Sequence, residues 1–397
     1  MRLVLICLLL ASQLLSKMLQ VEVEAASAIV INADTGAVLF EKNARLPSHP
    51  ASTTKISTAL YCLDHQIPLD SLYKVSKEAL SHKEKKEHPN PWELEQAGTM
   101  MYIRPGEKLT LESLLYGLLL ISGNDAANVI AENVSGSIPQ FMEDLNHYLT
   151  SIGCENTSFT NPHGLTDSGH QTTAYDLARM TQKALQFPAF KKIVSTVKYQ
   201  RPKTNQQPEK EMISFNRLLK EESQYYYPKA FGVKTGYTEA AKYSLVAAAE
   251  DRGRCLIAVL LGCPSKHGHF QDAKKLFHAA FSEKKVHRKL IGSERVFVKK
   301  IKGFSAEIKA SLATPLSIQT FPSEDPRCKA VLHWSYSLPI RKGQKVGEIQ
   351  ILGEQEDLLA KGDLISLEKV SLSFFSILKY KLLGVLFPKT ELGEDRR

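Results

Sequence analysis

Ser52-Thr53-Thr54-Lys55 heads a run to Leu63 with helical periodicity, directly after Pro50-Ala51. How these four residues are read decides the fold. Serine and lysine three apart on a helix share a face. A serine hydroxyl is a poor nucleophile until a base takes its proton. Lysine can be that base only if its pKa falls, through burial or a second nearby cation. A helix start adds free backbone N–H groups that can hold a developing oxyanion. Taken alone, the four residues read as a surface helix, because this spacing arises by chance in most long chains.

Two further clusters change that reading. Thr110 can cap a helix through Leu111 to Ile121, and a second helix runs from Asp125 to about Asn133, stopping near Gly136. Ser122-Gly123-Asn124 breaks the pair. A hydroxyl and an amide presented on a tight turn suit a proton shuttle and a ligand for a substrate amide, although any helix-to-helix turn favours these residues. Lys234-Thr235-Gly236-Tyr237 closes a strand-like run from Gly232. Gly236 removes a side chain where substrate could approach. Lys234 would supply the second cation that keeps Lys55 neutral, while a strand edge with a gatekeeper lysine is the plain alternative. The order S-x-x-K, S-x-N, K-T-G, on a helix start, a helix–helix turn and a strand, marks penicillin-binding proteins and class A β-lactamases. Here the usual S-D-N reads S-G-N.

The sequence resembles the low-molecular-mass penicillin-binding proteins, serine-type D-alanyl-D-alanine carboxypeptidases of peptidase family S11. The likeness extends to Asp34-Thr35-Gly36, Arg104-Pro105-Gly106, Leu120 to Ala126, Asn161-Pro162-His163-Gly164-Leu165 and Gly232 to Thr238. It implies an α+β fold, a β-lactamase/transpeptidase-like catalytic domain with an antiparallel sheet flanked by helices. A small all-β C-terminal domain and an amphipathic helix would follow. Ser52 would attack the carbonyl between two terminal D-alanines of a peptidoglycan stem peptide. Lys55 would be the base, Ser122 and Lys234 would complete the proton path, and Asn124 would bind the peptide amide. Thr235 and Lys234 would meet the terminal carboxylate. The N–H groups of Ser52 and Tyr237, beside Gly236, would form the oxyanion hole. β-Lactam antibiotics would acylate the same serine, and no metal or organic cofactor is implied. The family often places an arginine at the carboxylate. By spacing from Lys234, His269 takes that place here, which weakens the hold on a carboxylate and raises the case for endopeptidase action on cross-linked peptides. Arg217, in Phe215-Asn216-Arg217, resembles a second family arginine.

The 397 residues carry 51 Lys+Arg against 42 Asp+Glu, a net charge of +9, with 43% hydrophobic residues. This excludes wholesale disorder and a polytopic membrane protein, and the mild excess is not a nucleic-acid signal. Six cysteines are too few for a disulfide scaffold. One positive charge before the apolar run from Leu3 reads as a secretory leader, with small residues at Ala25, Ala26 and Ala28 placing cleavage near Ala25. Short alternating runs after Glu283 read as a β module. Ser371 to Phe387 forms an apolar arc flanked by lysines, as in a helix lying in a membrane interface. The expected organisation is leader 1–25, catalytic domain 26–283, β-rich domain 284–366, and anchor helix with tail 367–397. The protein would be exported to the periplasmic face of a bacterial inner membrane. His82 to His88 reads as a charged surface loop whose histidines are solvated. A β-lactamase would need a water-activating E-x-x-x-N after the second cluster. Glu155-Asn156 has the wrong spacing. A catalytically silent peptidoglycan-binding protein is disfavoured by three intact clusters.

Overall fold

A computed structural model describes residues 18–371 apart from 84–88, 302–303, 305, 325, 327 and 354–355. It separates into a unit Met18–Glu283 and a second unit from Lys284 onward. In chain order the first unit runs β1 (Ser27–Asn32), β2 (Val38–Lys42), α1 (Lys55–Asp64), β3 (Leu72–Lys74), β4 (Lys108–Thr110), α2 (Leu111–Leu120), α3 (Asn124–Ser135) and α4 (Ile138–Ser151). It continues through α5 (Ala174–Ala184), α6 (Pro188–Ser195), β5 (Lys198–Arg201), β6 (Lys210–Ile213), β7 (Ala230–Thr238), β8 (Lys242–Asp251), β9 (Arg254–Cys263) and α7 (Gly268–Ser282).

The main sheet is antiparallel in the order β2-β1-β9-β8-β7. Arg252 and Gly253, both at positive φ, make the two-residue turn between β8 and β9. Successive side chains of a strand point to opposite faces. Ile29, Ile31, Val246, Ala248, Ile257 and Val259 therefore face the core built with α1 to α5. Ala28, Val30, Leu245, Ala247, Leu256 and Leu260 face Phe270, Ala273, Phe277 and Ala280 of α7. Burial on both faces explains why β8 and β9 read as continuous apolar runs.

Thr110 starts α2 and Gly136 ends α3 as expected, and Thr173 caps α5. Thr110 accepts from the Ser113 N–H, Thr173 accepts from the Asp176 N–H, and Gly136 ends α3 at φ 80°. Sequence periodicity does not reveal α6, β5 or β6. The first is eight residues long, and the strands KYQR and KEMI are largely exposed and charged, so neither carries a clear period. Residues 18–25, which the sequence reading places in the leader, lie within this unit, with Leu19 and Ala25 buried.

The second unit contains β10 (Val286–Ile291), β11 (Phe297–Lys300), β12 (Glu307–Leu312), β13 (Leu316–Thr320), β14 (Lys329–Trp334), β15 (Lys345–Leu352) and β16 (Leu358–Ser366). Five of these form a sheet in the order β11-β12-β16-β15-β14, and β10 pairs with β13. Ile308, Ala310, Val346, Ile349, Ile351 and Leu364 form its core. β10 is hidden in sequence within a basic stretch and β16 by Gly362. A Cβ at Gly362 would sit 3.0 Å from both Leu312 and Leu316. Among the described residues no helix is long and apolar enough to cross a membrane. The leader through residue 17 and the proposed anchor from residue 372 lie outside the described residues.

Candidate active site

Ser52 sits in a single 3-10 turn, Ala51–Thr54, and Lys55 opens α1. The sequence reading puts both on one continuous helix; the turn is tighter, and the chain enters it through Ala51 at φ 50°. The hydroxyls of Thr53 and Thr54 hold it by donating to the carbonyls of Pro50 (2.7 Å) and Ala51 (2.9 Å).

Lys55 is fully buried. Its Nζ lies 2.6 Å from the His163 carbonyl, 2.7 Å from Asn124 Oδ1 and 3.0 Å from Ser52 Oγ. The first two partners can only accept, so they take two N–H groups. A neutral amine then has its lone pair left for Ser52, the one partner able to donate. Burial holds the Lys55 pKa well below its usual value, the positive Lys234 pushes the same way, and Asp125 opposes. Lys234 is itself buried on β7, donates to the Thr235 carbonyl (2.8 Å), and is brought down to about 7 by desolvation.

The Ser122-Gly123-Asn124 turn is clamped by the preceding loop. The Asn124 N–H donates to the Thr99 carbonyl (2.8 Å), and the Thr99 hydroxyl donates to the Ser122 carbonyl (2.8 Å). Ser122 is buried, at φ 63°. Asp125 fixes the same loop by accepting from the N–H groups of Met101 (2.9 Å) and Ile103 (3.3 Å). Burial raises the Asp125 pKa, and these backbone donors oppose the rise.

β7 lies against the nucleophile turn. A Cβ on Gly236 would stand 3.1 Å from the Ser52 nitrogen and 3.2 Å from the Pro50 carbonyl oxygen, so this glycine makes room for the turn as well as for any substrate. Gly164, at φ 93°, approaches from the other side; a Cβ there would be 1.9 Å from the Ala51 oxygen.

Two buried histidines complete the scaffold. His163 Nδ1 accepts from the Leu165 N–H (3.2 Å), so Nε2 carries the proton and donates to the Trp92 carbonyl (3.1 Å). His170 Nδ1 accepts from the Thr160 N–H (3.1 Å), leaving Nε2–H to donate to Thr54 Oγ1 (2.9 Å). Both rings are neutral, and burial holds His163 well below its usual pKa and His170 at about 3. The sequence reading assigns no role to Asp125, His163, Gly164 or His170. No local spacing could, because the partners of the histidines lie 108 and 116 residues away.

Ser52, Lys55, Asn124 and Gly236 thus converge, with Lys234 close enough to Lys55 for their charges to interact. Of the remaining candidates, His269, Tyr237 and Arg217 form a second group. His269, in the first turn of α7, is buried with its ring parallel to Tyr243 (5.7 Å, 3°) and close to Phe270 (4.1 Å). Its Nδ1 has no hydrogen-bond partner among the described residues. Burial, with His267 and Arg217 adding to it, brings its pKa to about 4, so the ring is neutral at physiological pH. Arg217 is exposed beside β7, 6.0 Å from the Tyr225 ring. Tyr237 is half exposed and 4.6 Å from Tyr243, and Thr235 is partly exposed.

Residues 14–265 match the D-alanyl-D-alanine carboxypeptidase family, peptidase S11. D-alanyl-D-alanine carboxypeptidase DacF of Bacillus subtilis is 32% identical over 370 residues, covering 91% of this chain and 90% of its own. D-alanyl-D-alanine carboxypeptidase DacD of Escherichia coli is 29% identical over 367 residues, covering 88% and 87%. The solved structure of penicillin binding protein 6B from Escherichia coli superposes with a TM-score of 0.61 at 25% identity, covering 87% of this chain and 96% of that one. With Ser52 in hydrogen-bond contact with a buried lysine and a matched segment that contains all three clusters, this chain belongs to the D-alanyl-D-alanine carboxypeptidase family of serine peptidases.

Proposed function

We propose that this protein removes the terminal D-alanine from peptidoglycan stem pentapeptides through an acyl-enzyme on Ser52, and that penicillins acylate the same hydroxyl. The observation that carries this reading is the Lys55 amine, held between two obligate acceptors with its third direction on Ser52 Oγ. In acylation the Ser52 proton passes to Lys55 Nζ as Oγ attacks the carbonyl carbon. The oxyanion is received by the N–H groups of Ser52 and Tyr237. As the C–N bond breaks, the proton reaches the leaving D-alanine amine through Lys55 and Ser122. Water then adds to the ester and frees Ser52. Asn124 orients the peptide amide, while Lys234 and Thr235 take the terminal carboxylate, with Arg217 and His269 at its margin.

A neutral His269 brings no full charge to that carboxylate, which favours a second activity, cleavage of cross-linked peptides lacking a free carboxylate at the scissile end. The β-rich region 284–366 and the segment Ser371–Phe387 hold the exported enzyme at the outer face of the cytoplasmic membrane. Labelling with a fluorescent penicillin tests the site. Wild type is expected to label and Ser52→Ala is not, and a labelled Ser52→Ala would remove Ser52 as nucleophile. Product analysis on a pentapeptide and a cross-linked dimer separates the two activities. If neither substrate is cleaved while penicillin binds, the chain is a binding protein.

A further inference from the structure

Small residues near Ala25 place leader cleavage there by sequence, yet the folded unit begins earlier. Residues 18–25 alternate without a break: Leu19 and Ala25 are buried, Val21 and Val23 pack on the core between sheet and α7, and Gln20, Glu22 and Glu24 are exposed. That period of two is the signature of an extended segment with one face covered. The segment lies along β2, where the Leu19 N–H donates to the Leu39 carbonyl (2.9 Å) and Lys42 Nζ donates to the Val23 carbonyl (2.8 Å). At its far end the N–H groups of Glu24 (2.8 Å) and Ala25 (3.1 Å) both donate to one oxygen of Asp272, a buried carboxylate on α7. The Glu24 carboxylate accepts from the Ser265 hydroxyl in the connection between β9 and α7.

A cut after Ala25 would take both backbone donors from Asp272 and uncover the core where Leu19 sits. Its other charged neighbour, Lys275, is half exposed and 3.5 Å from the second oxygen, a weak substitute. A buried carboxylate is stable only when its oxygens are satisfied. We infer that leader processing occurs upstream of Met18, and that residues 18–25 stay on the mature enzyme as a strap joining β2 to α7.

The test is the N-terminus of the exported protein. The full chain is expressed with its own leader in a bacterium, and the exported fraction is labelled at free α-amines before digestion and mass analysis. A first residue at or before Met18 is expected. A first residue at any later position overturns the inference. Leu19→Ser, processed and analysed in the same way, is expected to lower Tm by several degrees. An unchanged Tm would equally overturn it, since it would mean that Leu19 is absent or does not pack.

Discussion

Replacing Gly164 by alanine places a carbon 1.9 Å from the Ala51 oxygen, 2.4 Å from the Ala51 carbonyl carbon and 3.0 Å from the Ser52 nitrogen. Carbon–oxygen contacts ordinarily begin near 3.3 Å, so the loop and the nucleophile turn must separate by roughly 1.4 Å. All three atoms are backbone, and the Ala51 carbonyl also accepts the Thr54 hydroxyl that shapes the turn. The left-handed φ adds about 1–2 kcal/mol for any residue with a Cβ, and overpacking adds about 1–3 kcal/mol. The expected loss of stability is therefore about 2–5 kcal/mol. A nucleophile displaced by about 1 Å acylates about 100-fold more slowly. Gly136→Ala is the control: it has φ 80° with nothing within 4 Å of its Cβ, so only the conformational cost of about 1–2 kcal/mol applies. Urea denaturation and stopped-flow acylation by a fluorescent penicillin read both quantities. Gly164→Ala acylating at the wild-type rate, or losing no more stability than Gly136→Ala, would refute the placement of this loop against the nucleophile turn.

Asp125→Ala strips the acceptors from three buried N–H groups, those of Met101, Ile103 and Ala126, at about 1–3 kcal/mol each. Because Asp125 raises the Lys55 pKa, the acid limb of the acylation pH profile should also move to lower pH, and an unmoved limb would count against their coupling. Lys234 has a folded pKa of about 7 against an ordinary 10.5, so between those values the unfolded chain binds a proton that the folded chain does not. Wild type should therefore gain stability relative to Lys234→Met as pH rises through that window, read by urea titration near pH 7 and near pH 9.5. His170, at about 3 when folded and 6.5 otherwise, stays neutral in the fold and protonates on unfolding. Wild type should lose stability as pH falls between those values, and His170→Gln should lack that part of the slope. At neutral pH His170→Gln should cost about 1–3 kcal/mol through the lost stack on Phe159 (4.8 Å).

What was legible depended on range. Thr110 and Gly136 announce helix ends because capping is settled within a few residues. β8 and β9 announce themselves by unbroken apolar runs, since both faces of the sheet are covered. β5, β6 and β10 do not, because mostly exposed strands carry little of the alternation that burial imposes. Leu19-Gln20-Val21-Glu22-Val23-Glu24-Ala25 alternates apolar and polar residues, but the sequence reading assigns it to the leader.

The sequence by itself determined the three motifs and their order, and placed the second and third on a helix–helix turn and a strand, whereas the tighter turn that presents Ser52 was not legible. Lys55 needed a low dielectric and a second cation, and only the tertiary structure decided that it has both. Burial comes from packing across the whole unit, and Lys234 arrives on a strand 179 positions later. Tertiary structure also decided that a neutral His269 faces aromatic rings, and that His163, Gly164 and His170 shape the nucleophile turn. Hydrogen bonds and steric exclusion act over about 3 Å in space, and between residues more than a hundred positions apart only the completed fold sets that distance.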